Sequence, residues 1–364
     1  MNKKEPFVRM TKRAHISRSK TVAIYLISAV LSLIVCALVI VALTHQNPIE
    51  VYAGIIDGAI GTDRRLWITI RETMVLLLIA VGLTPAFQMR FWNIGAEGQV
   101  LMGGMATAAL MIYCGDTLPA WLLLIAMFAA SILAGMIWGL IPAYFKSKYN
   151  TNETLFTLMM NYVAMQIVTF AIVYWENPAG SNTVGIINRA TKAGWFPEIG
   201  GNAYTLNVII VLAMTVGMFI YQRYSKQGYE IAVVGESQNT ARYAGINVKR
   251  VIIRTMAISG AICGLAGALI VGGASHTIST STADGRGFTA IIVAWMAKFN
   301  PFVMIIISAF LVFMQQGAVQ IATQFGLNEN ASDIITGIIL FFLIGSTFFI
   351  NYKLEFRKKS KEVA

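Results

Sequence analysis

Charged side chains are scarce in this 364-residue chain. They make up 12% of it, against 57% hydrophobic residues, and the mean hydropathy is +0.66. Soluble domains carry about 25% charged residues, so the composition excludes a water-soluble fold and points to one solvated by lipid. Acidic residues are the rarer sign: 17 Asp and Glu stand against 28 Lys and Arg, for a net charge of +11. The excess is not a nucleic-acid signature, because the basic residues fall in short segments between apolar runs, the pattern of membrane topology. There are only three cysteines, Cys36, Cys114 and Cys263, in or near separate apolar stretches with no paired spacing. That excludes a disulfide framework and a thiolate metal site. His15, His45 and His276 are isolated, and no histidine–carboxylate cluster suggests a metal. No Gly-x-x-x-x-Gly-Lys-Ser/Thr loop occurs, and no lysine follows a glycine anywhere, so the chain does not bind ATP by that loop. A serine nucleophile elbow, a zinc motif and a dinucleotide fingerprint are also lacking, which leaves an intramembrane enzyme without a candidate site.

What the chain does have is long apolar runs. A span needs about 20 apolar residues. Candidates fall near 21–44, 66–88, 97–114, 119–144, 154–175, 204–222, 251–272, 287–298, 302–322 and 332–350. The expected fold is therefore an all-α polytopic membrane protein with about ten crossings. The segment 287–298 is short enough to be a half-helix or re-entrant piece. The run from Thr21 to Thr44 is too long for a signal-peptide core of about 7–15 residues and reads as a retained first span. With the N-terminus cytoplasmic, about 22 Lys and Arg fall inside against about 5 outside, a strong positive-inside bias. An even number of spans then puts both termini in the cytoplasm. The division expected is a basic N-terminal segment 1–20, a membrane domain 21–350 and a basic tail 351–364. Two loops are long: an outer one from Glu176 to Ala203, and an inner one over 223–250.

Polar residues between the apolar runs are the candidates for function. Phe91 to Gly104 places Asn93, Glu97 and Gln99 among four glycines at membrane depth. Hydrocarbon makes such groups costly unless they face protein, water or a ligand, and a glycine-rich polar break is how transporters commonly build a pathway. Charge counting puts this break toward the cytoplasmic side, beside Arg90. Glu72 follows Arg71 in the second span; adjacent helical residues project about 100° apart and need not pair, so Arg71 is free to snorkel and Glu72 to face the pathway. Glu153 suits a helix N-terminus by its charge, whereas Asn161, two turns deeper, has no such explanation. Trp295, with Gln315, Gln316 and Gln320, offers stacking and amides for a heterocyclic ring. Gly260-x-x-x-Gly264 reads as close helix packing.

The inner loop has helical spacing of apolar and charged residues from Glu230 to Gly245. One account is a pair of short helices docking on a soluble partner, with small residues Gly235, Ala241 and Gly245 permitting close approach and Glu236 and Arg242 fixing register. The other is an ordinary solvated loop helix.

Three segments carry a family resemblance: Asn93-Ile94-Gly95-Ala96-Glu97-Gly98-Gln99, Asn152-Glu153-Thr154-Leu155 and Ala244-Gly245-Ile246-Asn247. The chain resembles the branched-chain amino acid/ribose-type ABC importer permeases, and within them the nucleoside permeases of Gram-positive bacteria, over roughly residues 20–350. The resemblance implies a type II-like permease in the cell membrane, with a second permease subunit as partner. It implies ATP on a separate cytoplasmic ABC ATPase, an extracellular substrate-binding lipoprotein, and a nucleoside as the imported solute. It makes 223–250 the element that receives ATPase motion, with Gly235, Glu236, Ala241, Arg242, Gly245 and Asn247 as coupling residues. The Glu-Ala-Ala signature of more distant permeases is replaced by Glu236-Ser237-Gln238. The competing functions are an ABC permease for simple sugars and an ion-coupled secondary transporter. The latter needs buried carboxylates, and the spans hold few: Glu72, Glu97 and, near an end, Asp333.

Overall fold

The computed structural model describes residues 8–13, 16–44, 47–326 and 329–356. His15, His45 and the basic residues of 1–7 and 357–364 lie outside the described residues, as do the side chains of 327–333, Asp333 among them. In chain order the elements are β1 (Val8–Lys12), α1 (Arg18–Thr44), α2 (Pro48–Ile60), α3 (Asp63–Gln88), α4 (Ala96–Cys114), α5 (Ala120–Tyr149), α6 (Glu153–Tyr174) and α7 (Thr205–Tyr224). They continue with α8 (Lys226–Glu236), α9 (Gln238–Tyr243), α10 (Val248–Ile270), α11 (Arg286–Met296), α12 (Pro301–Gln324), α13 (Glu329–Asn351) and β2 (Tyr352–Phe356). Among the described residues eight helices are long and apolar enough to cross a membrane. Of the ten expected spans, α4 carries Glu97 and Gln99 near its start, and α11 has only 11 residues.

Three features were not expected from the sequence. Residues 48–60 form a helix, started by Asn47, whose side chain accepts from the Ile49 amide at 3.0 Å, and by Pro48 in the first turn. Chain ends contribute strands: β1 pairs antiparallel with β2, Val8 opposite Phe356, so the fold is not purely helical. And α5 continues five residues past its expected end, to Tyr149.

Two compact units share the chain, Met1–Leu66 with Phe313–Ala364, and Trp67–Val312. In the first, α1 packs on α13, and α2 lies against the end of α12, with Gly58 at Gln320 and Gly54 at Gln324. In the second, α10 is the central helix, packed on α4 and α5. Small residues let these backbones meet. A Cβ on Gly264 would collide with the Ser131 carbonyl of α5, and one on Gly103 of α4 with Gly264 itself. Gly260 meets Gly135 in the same way, which gives the Gly260-x-x-x-Gly264 spacing the packing role expected of it.

Past Ile270 the helix widens into a π turn, Val271–Ser275. Carbonyls at and just before the turn are satisfied from an earlier loop, from α7 and from the turn itself: Phe196 donates to Gly272 at 3.1 Å, Asn207 to Leu269 at 3.3 Å and Ser275 to Ile270 at 3.2 Å. The long loop between α6 and α7 supplies the first of these bonds, and the ring of its Trp195 stacks on His276 at 3.8 Å.

Candidate functional site

The polar break is a buried knot. Asn93, Gln99 and Asn161 are 0%, 1% and 3% exposed. Asn93 and Gln99 exchange bonds through their amides at 3.3 and 3.4 Å, and Asn93 also donates to Ser259 of α10 at 3.3 Å. Asn161 of α6 donates to the Ile94 carbonyl and accepts from the Gly98 amide, both at 2.9 Å, while Thr157 accepts from Ile94 at 3.2 Å. Side chains thus satisfy the Ile94 amide and carbonyl and the Gly98 amide where α3 gives way to α4. Ser259 and Thr157, which the sequence reading passed over, complete the knot; a hydroxyl is common in apolar helices and gives no spacing signal.

Glu97 faces the other way. Its two carboxylate oxygens accept from the amides of Gly285 (2.8 Å) and Gly287 (2.9 Å), the first turn of α11. A carboxylate from α4 therefore caps α11, where the helix dipole favours negative charge. Each such charge-assisted bond is worth roughly 1.5–3 kcal/mol. Close approach demands glycine at 287: an added Cβ would lie 2.6 Å from the Glu97 nitrogen.

Either end of α11 opens on a cavity. At its start is a cavity of about 380 Å³, reached also by Arg71, Glu72 and the segment 274–286. Glu72 pairs with its neighbour, which helical spacing permits without requiring. Arg71 Nε donates to Glu72 Oε1 at 3.0 Å, and Arg286 meets Glu72 Oε2 at 2.8 Å. Both side chains are long enough to curl back along the helix, and burial (17% and 12% exposed) rewards it. Arg71 also lies 5.0 Å over the Tyr204 ring, and Asp284 is 3.7 Å from Arg286. Hydroxyls line most of the rest, beside Ile270 and Ala274, with Ser279 Oγ 3.0 Å from Ser281 and 3.4 Å from Thr282. The run Ser275 to Thr282 carries six hydroxyls in eight residues, and this was the signal that could have found the cavity.

At the other end of α11 is a cleft of about 650 Å³. Trp295 sits here, stacked on Trp92 at 5.4 Å and edge-on to Phe87 and Phe299. Arg90, Arg223 and Lys298 line it too. Trp295 is thus at the cleft and not with the buried amides, and Gln315 belongs to the first unit. Gln320 of that unit accepts from Arg65 at 3.0 Å. Trp295 is nine positions beyond Arg286, so α11 with Glu97 leaves about 14 Å of protein between cavity and cleft. That is about half the hydrocarbon thickness of a bilayer.

The inner loop forms two short helices, of which α8 lines one wall of the cleft. Serines start both: Gly228 N donates to Ser225 Oγ (3.0 Å) and Thr240 N to Ser237 Oγ (3.2 Å). Ile231, Val234 and Ala241 are buried with Met89, Ala143, Val248 and Met256, and Glu230 pairs with Arg254 at 3.0 Å. Full burial of a residue such as Ile231 stabilises by about 1.5–3 kcal/mol. The six residues assigned to coupling divide. Gly235 and Ala241 are buried, Gly235 against the Gln88 carbonyl, so they dock the loop on its own protein. Asn247 caps α10, accepting from Arg250 N at 3.1 Å. Glu236, Arg242 and Gly245 are exposed, as is Tyr243, at 94%.

Comparison with known proteins bears on this arrangement. The family described as "Branched-chain amino acid transport system / permease component" matches residues 66–344. The chain belongs to that family. It is a multi-pass protein of the plasma membrane and a permease component of a transport system. The guanosine ABC transporter permease protein NupP of Bacillus subtilis is 28% identical over 94% of this chain and 99% of its own length. The glucose ABC transporter permease protein TsgB13 of Haloferax volcanii is 25% identical over 85% and 84%. The nucleoside ABC transporter permease protein NupB of Lactococcus lactis is 26% identical over 90% and 92%.

Proposed function

We propose that this chain is the permease subunit of an ATP-driven importer of nucleosides. The observation that carries the proposal is similarity to a guanosine and a nucleoside permease over nearly the whole of both chains. It works as a transport subunit and not as an enzyme, with ATP bound and hydrolysed by a cytoplasmic ATPase. A second permease subunit pairs with it, and an extracellular binding lipoprotein delivers the solute. Both termini, the segments 1–20 and 351–364 among them, face the cytoplasm, with about ten helical elements between them in the membrane domain 21–350; 223–250 is the coupling loop. Its docking face is the exposed set Glu236, Arg242, Tyr243 and Gly245. The pathway runs from the cavity at Glu72 past the Glu97 contact to the cleft at Trp295, and Asn93, Gln99 and Asn161 hold the break that shapes it.

The geometry supports a mechanism for this reading. Cavity and cleft approach from opposite ends of α11, and Glu97 holds that helix at its start. Motion received by α8 and α9 reaches α3 and α10 through the buried contacts of Ile231, Val234 and Gly235, because a packed interface moves as a body. A shift of α11 relative to Glu97 would then join one opening to the solute while the other closes. The test is uptake of labelled nucleosides into vesicles holding the full complex, with and without the ATPase. Uptake that persists on an ion gradient without the ATPase overturns the proposal. Arg242→Glu with Tyr243→Ala tests the docking face: insertion is expected to survive and ATPase association to fall. The second reading is a sugar permease, favoured by the similarity to TsgB13.

A further inference from the structure

The cavity at the start of α11 combines three features that together describe a ligand. It is charge-balanced: Arg71 and Arg286 face Glu72 and Asp284, and both oxygens of Glu72 are taken by the two guanidiniums. It is rich in hydroxyls: Ser279, Ser281 and Thr282 form one cluster, and Thr277 is beside it. And none of the described residues lining it is aromatic, so it offers no face on which a base could stack. Charge balance disfavours an ion, which would enter with no net counter-charge. Arg286 also donates to the Thr282 carbonyl at 3.2 Å; the remaining guanidinium N–H groups and the clustered hydroxyls suit a solute that both donates and accepts.

Resting on the nucleoside reading, we infer that this cavity is a subsite for the sugar of the solute, reading its vicinal hydroxyls and indifferent to the base. Thr277, Ser279 and Ser281 are the specificity-determining residues, and Arg71 and Arg286 orient the diol. Its volume, about 380 Å³, is at the lower end of small-ligand sites. A site built on hydrogen bonds to hydroxyls discriminates strongly against analogues that lack them, because its own polar groups are then left unpaired. Thr282 is excluded from the assignment, since its Oγ1 accepts from the Ser279 amide at 2.8 Å and shapes the loop.

The test compares uptake of a ribonucleoside and its 2′,3′-dideoxy analogue by the full complex in vesicles, for the native chain and for a Thr277→Val, Ser279→Ala, Ser281→Ala variant. The native complex is expected to favour the ribonucleoside. In the variant that preference should fall about tenfold, through slower ribonucleoside uptake, with dideoxy uptake unchanged. Changing the base from purine to pyrimidine should give the same fold-change. Equal losses for both substrates would mean a structural loop, and an unchanged ratio would mean that the cavity does not read the sugar; either overturns the inference. Thr282→Ser, which keeps the loop bond, should retain the native ratio, and a loss there also counts against it. Should the native complex carry free sugars and no nucleoside, the nucleoside reading fails. The same variant, run with the sugar and its deoxy analogue, then still decides the cavity.

Discussion

The two openings of the second unit meet the same short helix and differ in nearly everything else. The cavity at Arg286 pairs its charges internally and is walled by hydroxyls. In the cleft at Trp295, Arg90, Arg223 and Lys298 have no ion-pair partner among the described residues, and Phe87, Phe219, Trp295 and Phe299 add aromatic surface. A balanced polar cavity suits a neutral solute. An unbalanced basic and aromatic cleft bordered by α8 suits the side where machinery docks, because unpaired surface charge steers protein encounters. Charge thus distinguishes the two openings, and Glu97 caps the helix that runs between them.

Removing that divider has the largest expected effect. Glu97→Ala leaves the Gly285 and Gly287 amides without their acceptor and frees the start of α11. A stability loss of about 2–4 kcal/mol is expected, measured by thermal unfolding of the purified complex, with uptake reduced about a hundredfold or more. Glu97→Gln keeps one acceptor oxygen and should fall between. Native uptake in Glu97→Ala would mean that α11 is held by other contacts and that cavity and cleft are not separated by this bond.

Next comes the charge balance. Arg286→Gln removes one guanidinium from the Arg71–Glu72–Arg286 chain and leaves the cavity negative. Breaking a partly buried pair costs about 1–3 kcal/mol here, less than a fully buried one because Arg286 is 20% exposed. Uptake of the neutral solute should drop about tenfold, while ATPase association stays native. Asp284→Asn, at a side chain 57% exposed, shifts the balance to positive with little structural cost. It should let a nucleoside monophosphate compete for uptake about two- to fivefold better than it does natively. If both changes leave competition by charged analogues untouched, the balance is incidental.

How much of this was legible in the sequence depends on the range of the interaction. Helices and the packing role of Gly260-x-x-x-Gly264 follow from local composition and spacing, and the family from the resemblance of three short segments. Asn93, Glu97 and Gln99 were recognisable as anomalous because hydrocarbon makes polarity expensive. Which partner each one had was not recognisable: Glu97 caps a helix almost 190 positions away, and nothing near either residue encodes the meeting. The same holds for Glu72, whose carboxylate joins α3 to α11 through Arg286. Helical angle left its pairing with Arg71 open, and flexible side chains bridge the offset of about 100°. Gly235 and Ala241 were read as partner-facing because small residues permit approach; the approach they permit is to their own protein. The pair β1 and β2 escaped notice because five-residue strands at chain ends carry no periodicity that distinguishes them from a basic tail.

A smaller effect is expected on the cleft side. Arg90→Gln with Arg223→Gln removes two exposed cations without disturbing a hydrogen bond among the described residues. The apparent affinity for the solute should stay native, and the rate of ATPase association should fall about two- to tenfold, more at low salt than at high salt. A change in solute affinity instead would erase the contrast between the two openings.

The smallest effect is at His276, just beyond the π turn, one residue from cavity-lining Thr277. Burial, and then the positive charge of Arg71, lower its pKa from 6.5 to about 4. The folded chain therefore binds this proton less readily than the unfolded chain between those values. Its contribution to stability is complete above pH 6.5 and is lost as pH falls toward 4. The imidazole lies parallel to the Trp195 ring, so Trp195 fluorescence reports its charge directly. Quenching should appear with a midpoint near pH 4 and be absent in His276→Gln. In Arg71→Gln the midpoint should move up only in part, because burial is the larger cause. A midpoint near 6.5 in the native chain would mean that the imidazole is solvated, and that the wall it shares with the cavity is open to water.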